Sequence, residues 1–239
     1  MEIEVTEPHA CSVDLRLEIL SRVPFFSMLP GRQIGEINLL FHERGYSPGE
    51  TIAFEGDDAS SLFVVADGIV KLLRHSWIGK TVMLDMLTPG EFFGSLSALE
   101  DETYPDTARA HTSACVLAID AGDFRQVLDQ YPVVAMSVLD IMAGRLKAAH
   151  EMIQQLSLYS VERRIAYILL KLGDKLGKRQ EVGLLIQSPL SRDDLAEMAG
   201  TTTETASRVM SQFQKEGLIQ SGRQWVAIVD QAGLEKAAE

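Results

Sequence analysis

Only two cysteines, Cys11 and Cys115, occur in 239 residues. Two thiols cannot build a disulfide framework or a CxxC metal site, and their distance apart in the chain gives no local reason to pair them. They read as unpaired thiols. No apolar run approaches the roughly 18 residues of a membrane span, and the opening "MEIEVTEPHA" is acidic where a signal peptide would be basic and then apolar. The expectation is a cytoplasmic protein with no membrane partner. Catalytic signatures are missing as well: there is no Ser-His-Asp order, no paired pocket carboxylates with a metal, and no P-loop, so an enzyme is not expected. Positive charge is also short, with a formal net charge of −12.

That deficit is local. Residues 1–159 carry 23 acidic against 11 basic side chains, whereas residues 160–239 carry 11 of each. An acidic front half is repelled from a polyanion, while a neutral back half can still gather cations on one face. With 46% hydrophobic residues the chain can bury one large core or two modest ones, and two domains are expected.

The first 18 residues hold five acids and no clear period, and read as a loosely held tail or short helix, with 1–20 set apart as an N-terminal tail. From Gly49 to Asp120 short β-rich runs ("TIAFEG", "SLFVVADG", "IVKLLRH", "TVMLDML", "CVLAID") alternate with glycine turns, the pattern of a sandwich or barrel. A long helical pattern follows "AGDFRQVLDQYP", with Pro132 suited to a first turn. Leu139, Met142, Leu146, Ala149, Ile153 and Leu156 recur along it at spacings of three and four, an a/d seam that pairs with a second copy or lies on its own β domain. The helix breaks at "SLYS", Ser157 to Ser160. A second amphipathic helix carries Val161, Ile165, Ile168, Leu169 and Leu172 on one face, and "VGLLIQSPL" reads as a strand.

In "SRDDLAEMAG" Ser191 is an N-cap with Asp194 as capping-box partner, and Gly200 ends the helix. "TTTETASRVMSQFQKEG" starts another helix a few residues later, which makes a helix-turn-helix. "LIQSGRQWVAIV" then reads as two strands turning around Ser221–Gly222, a wing. On the second helix Glu204, Ser207 and Arg208 fall at i, i+3 and i+4, near the N-terminal end that enters a major groove. Arg208 suits guanine O6 and N7, Ser207 either base edge, and Glu204 a cytosine N4 amine. A carboxylate there lowers general affinity for phosphates and raises selectivity. Ser191, Arg192, Thr201, Thr202, Thr203 and Arg223 surround this face as candidate phosphate contacts. The competing reading is a solvated helix face on which Glu204 and Arg208 simply pair.

The segments "FEGDDASSLFVVADGIVKLL", "TPGEFFGSLSAL" and "LSRDDLAEMAGTTTETASRVMSQFQKEGLI", with the long helix between them, resemble the cyclic-AMP receptor protein and fumarate-nitrate regulator family of bacterial transcription factors over about residues 20–230. The resemblance implies an α+β fold: a cyclic-nucleotide-binding-like β-roll (jelly roll) over 21–130, a dimerisation helix over 131–159 and a winged helix-turn-helix DNA-binding domain over 160–239. It implies a homodimer on double-stranded DNA, working with RNA polymerase. Glu204-x-x-Ser207-Arg208 is similar to the fumarate-nitrate branch, whose implied site is TTGAT-N4-ATCAA.

In the front domain the resemblance implies a pocket bordered by Leu84, Gly94, Ser95, Leu96, Tyr104, Pro105, Ala149 and His150. The family's cyclic-AMP pocket takes a glutamate for the ribose and an Arg-Ser pair for the phosphate; the matching positions here hold Ser95 and Tyr104-Pro105. A cyclic phosphate with no arginine to answer it carries a penalty of several kcal/mol when buried, and Asp85 adds to it. Cyclic AMP is therefore not the expected effector. The iron–sulfur cluster of the fumarate-nitrate branch needs four cysteines and is excluded by count. The cofactor is unassigned. His150 reads as a solvated histidine or as an axial ligand for a haem, in which case the protein senses nitric oxide or another gas; His75 and His111 are weaker candidates. A ligand-sensing module that touches no DNA, and a redox pair of Cys11 with Cys115, are the remaining alternatives.

Overall fold

The computed structural model describes residues 11–95 and 103–239. The chain divides into two compact units, Met1–His75 with Leu84–Leu146, and Ser76–Met83 with Lys147–Glu239.

The first unit begins with α1 (Val13–Arg22) and α2 (Gly31–Asn38), followed by strands β1 (His42–Tyr46), β2 (Thr51–Ala53), β3 (Ser61–Asp67), β4 (Val70–His75), β5 (Thr81–Leu87), β6 (Phe92–Gly94), β7 (Thr107–Ala110) and β8 (Ala114–Asp120). They form two four-stranded sheets, in the orders β1-β8-β3-β6 and β2-β7-β4-β5. The run "LFVVA" in β3 is apolar at every position because both faces of its sheet are covered. Phe63 and Val65 join Tyr46, Phe93 and Val116 against Val70, Ala108 and Ala110 of the other sheet. Leu62, Val64 and Ala66 point the other way, into a cluster with Leu20 of α1, Ile34 of α2, Phe124 and Val127 of α3 (Ala121–Gln130), and Val134 and Val138 of α4 (Pro132–Leu158).

This second cluster corrects two readings. Residues 13–20 take the short-helix reading and not the loose tail: α1 is capped by Ser12, buries Ile19 and Leu20, and is held by Arg16, which donates to the carbonyls of Asn38 (2.9 Å) and Phe41 (2.8 Å) and pairs with Glu43. Its period is weak because only Ile19 and Leu20 of α1 are fully buried, while Leu15 and Leu17 pack partly against the same cluster. Residues 1–10 lie outside the described residues. The cysteines are not unpaired either: Cys11 and Cys115 form a disulfide, with Cα atoms 6.3 Å apart, inside the range that bond requires.

In α4, Val134 and Val138 face the core and Met142 packs partly against it, while Leu139, Leu146, Ile153 and Leu156 remain 61%, 59%, 60% and 42% exposed. The helix carries two apolar faces, one used within the unit. Among the described residues no single helix is long and apolar enough to cross a membrane.

In the second unit, Ser160 caps α5 (Val161–Leu176), whose Ile165, Ile168, Leu169 and Leu172 are buried as their spacing required. Strands β9 (Gly177–Gln180) and β10 (Gly183–Ile186) follow, then α6 (Arg192–Ala199), α7 (Thr203–Lys215), β11 (Ile219–Gly222), β12 (Trp225–Ile228) and α8 (Gln231–Ala238). The sheet order is β11-β12-β10-β9. The wing turns at Arg223–Gln224, two residues later than the sequence suggested: Gly222 pairs with Trp225, and Gln224 takes the positive φ of 65°. Glycine signalled a turn, but its role at 222 is space, since a Cβ there would run into the Trp225 indole.

Candidate nucleic-acid interface

The α6–α7 turn is built from local hydrogen bonds. Ser191 Oγ accepts from the Asp194 amide (3.0 Å) and Asp194 returns a carboxylate oxygen to the Ser191 amide (2.9 Å), closing the capping box. Gly200 ends α6 in the left-handed conformation at φ 59°, where other residues pay for their Cβ. Thr202 caps α7 through the Thr205 amide (3.3 Å), and Thr203 Oγ1 donates to Asp193 (2.5 Å), joining the starts of the two helices.

The inner face of α7 is settled by Ala206, Val209, Met210 and Phe213, all buried. With those four inward, helical periodicity turns Glu204, Ser207 and Arg208 outward together. Glu204 and Arg208 are exposed and Ser207 partly so. Among the described residues neither charged group takes a hydrogen bond or an ion pair, although i and i+4 are within reach. The simple surface pair does not form, and both heads are free to meet a ligand.

The phosphate candidates divide. Thr201 and Arg223 carry side chains free of hydrogen bonds among the described residues, Arg223 at the exposed tip of the wing. Ser191, Thr202 and Thr203 use their hydroxyls in the caps above. Arg192 reaches back to the wing: its Nη2 donates to Ser221 Oγ (2.8 Å), which donates to Gln214 Oε1 (3.1 Å). Partial burial pulls its pKa down. This Arg192–Ser221–Gln214 link ties α6, α7 and the wing. It was invisible in sequence because its bonded pairs are 29 and 7 residues apart with no motif between them.

The expected effector residues meet only in part. Gly94 (φ 90°), Ser95 and Tyr104 converge on Ser61: Ser95 N–H donates to its carbonyl (3.1 Å), and its N–H donates to Tyr104 Oη (3.1 Å). A Cβ at Gly94 would lie 2.6 Å from that carbonyl. Tyr104 is thus a buried strut that braces the start of β3. Pro105 is exposed, its carbonyl accepting from Arg74 (3.0 Å), and Leu84 is 45% exposed. Leu96 lies outside the described residues. Ala149 and His150 are exposed on α4, in the second unit, and His75 is exposed. No group of three His, Cys, Asp or Glu among the described residues could hold a metal ion.

Sequence reasoning missed Arg145. Its guanidinium lies 4.0 Å from the centre of the Phe92 ring and donates to the Phe92 carbonyl (2.7 Å). Burial lowers its pKa, opposed by the nearby charges of Asp85 and Glu91. Asp85 therefore faces a cation within its own unit. An arginine one residue before Leu146, inside the apolar seam, was the available signal.

Residues 43–131 match the cyclic nucleotide-binding domain model and residues 163–237 the Crp-like helix-turn-helix domain model. The chain is 33% identical over 215 residues to a cyclic AMP receptor protein of Thermus thermophilus, covering 90% of this chain and 96% of the relative. It is 31% identical to the transcriptional activator protein FnrA of Stutzerimonas stutzeri, covering 80% of this chain and 78% of that one. In fold it is similar to FixK2 of Bradyrhizobium japonicum, with a TM-score of 0.74 at 23% identity, over 83% of this chain and 98% of that one. The two domain models match in turn the double-sheet front unit and the helix-turn-helix with its wing, and the chain belongs to the cyclic-AMP receptor protein and fumarate-nitrate regulator family of DNA-binding transcription regulators.

Proposed function

We propose that this regulator acts as a cytoplasmic homodimer that reads a TTGAT-N4-ATCAA-like palindrome with Glu204, Ser207 and Arg208, and that a signal received in the β-roll other than cyclic AMP sets its affinity. The observation that carries the reading is the outward face of α7, where a carboxylate and a guanidinium, both unpaired among the described residues, flank a serine above a buried inner face. Such heads are the ones that pair with cytosine N4 and guanine O6/N7. Phosphates are met by Thr201, Arg223 and the amides at the start of α7, while Ser191, Arg192, Thr202 and Thr203 hold those groups in place.

The exposed stripe of Leu139, Leu146, Ile153 and Leu156 supports pairing with a second copy, because an isolated soluble helix seldom leaves such a row in water. Two-fold pairing sets two recognition helices one DNA turn apart, which a palindrome mirrors. RNA polymerase is the further partner that control of transcription requires. Cyclic AMP, named for the Thermus relative, finds no Arg-Ser pair here: Tyr104 is spent on Ser61, Pro105 is exposed, and Arg145 already faces Asp85 and Glu91. A binding titration on the palindrome and on the same duplex with both half-sites scrambled tests the reading. Preference for the palindrome at physiological salt is expected, and equal binding to both overturns it.

A further inference from the structure

The disulfide sits in an unusual place for a staple. Cys11 immediately precedes the Ser12 cap of α1, and Cys115 is on β8, opposite Gly45 of β1, 104 residues away in the chain. Cys115 is 7% exposed and belongs to the buried cluster that contains Val134 and Val138 of α4; Cys11 is only partly buried at its edge. The bond is not the sole anchor of α1, which Arg16 also ties down through two carbonyls and Glu43. In a reducing compartment persistent disulfides are rare, and those present mostly sense oxidants.

We propose that Cys11 and Cys115 are a reversible thiol–disulfide couple through which oxidation acts on α4. The reacting partner is a small disulfide, RSSR. The Cys11 thiolate, the more accessible sulfur, attacks one sulfur of RSSR; a Cys11–SR bond forms and the first RS⁻ leaves. The Cys115 thiolate then attacks Cys11 Sγ, forming the internal bond and expelling the second RS⁻. Two electrons pass from the protein to RSSR, and the two protons given up by the cysteines end on the two RSH. Excess thiol reverses both steps. Closing the bond clamps β8 against the start of α1, in the same packed cluster that seats the first turns of α4, so the packing of Val134 and Val138 responds to the redox state. For its effect on DNA the proposal rests on the palindrome reading above.

The test uses the full chain equilibrated in mixtures of reduced and oxidised glutathione. The internal disulfide is counted by alkylation and mass, amide exchange is followed over residues 132–146, and affinity is measured on the palindrome. We expect exchange and affinity to follow the disulfide with one midpoint, affinity changing at least fivefold. C11S and C115S should each behave the same at every glutathione ratio. A bond that opens and closes while exchange in α4 stays constant overturns the proposal, as does a bond that native protein never opens, or a response that survives in C11S. Should the variants fold poorly, the wild-type titration alone still decides. Exchange that follows the disulfide in a protein with no palindrome preference supports the couple and rejects the half-site reading instead.

Discussion

Replacing Arg208 by alanine separates base reading from charge. The guanidinium is exposed and unpaired among the described residues, and alanine is at least as good a helix former, so folding stability should move by no more than about 0.5 kcal/mol. Any loss of binding then belongs to the contact itself. One bidentate pair with guanine contributes about 1–3 kcal/mol, and each 1.4 kcal/mol is roughly a factor of ten, so a half-site should lose about 5- to 150-fold. On a palindrome both subunits carry the change, and the two losses multiply to first order. The assay is fluorescence anisotropy on the palindrome, on a duplex with the guanine of each half-site replaced, and on a scrambled duplex, at two salt concentrations. For a base contact the wild type should prefer guanine and the variant should not, with the salt slope nearly unchanged. If R208A loses as much affinity on scrambled DNA, with the salt slope falling by about one per subunit, Arg208 is a phosphate contact and the assignment is wrong.

Glu204→Ala should widen the range of tolerated bases at the cytosine position while leaving affinity on the best site within a few fold; a variant as selective as the wild type in a binding-site selection rules the contact out. Gly200→Ala puts a Cβ in a left-handed residue and 3.2 Å from Leu156 Cδ2, so it should cost about 1–2 kcal/mol, seen as a lower unfolding temperature and weaker binding. Ser191→Ala removes the α6 cap and should cost about 1 kcal/mol in denaturant unfolding; an unchanged midpoint would mean the cap contributes nothing. Leu146→Glu places a charge in the exposed seam of α4, and sedimentation should report a monomer if that stripe is the dimer contact.

Much of the molecule was legible because local physics wrote it down. The capping box at Ser191 and Asp194, the left-handed Gly200, and the apolar spacing of α5 each depend on groups within four residues, and each stands where expected. The outward set of Glu204, Ser207 and Arg208 was legible for the same reason, since a 3.6-residue period assigns faces before any partner is known. The wing was misplaced by two residues because a glycine can serve either turn geometry or space, and sequence does not say which. The expected effector residues read poorly because they come from segments far apart in the chain: that Tyr104 would brace Ser61 depends on a contact 43 residues apart.

By itself, then, the sequence determined the run of strands, long helix, helix-turn-helix and wing, the outward face of α7 that carries Glu204, Ser207 and Arg208, and the charge asymmetry between its halves, all of which follow from short-range spacing and side-chain chemistry. Tertiary structure alone decided that Cys11 meets Cys115, that α1 belongs to the core, that Arg145 lies over Phe92, and that Arg192 is bound to the wing. Those are contacts between segments far apart in the chain. Their geometry is set by how sheets and helices close over shared cores, and no local pattern records it.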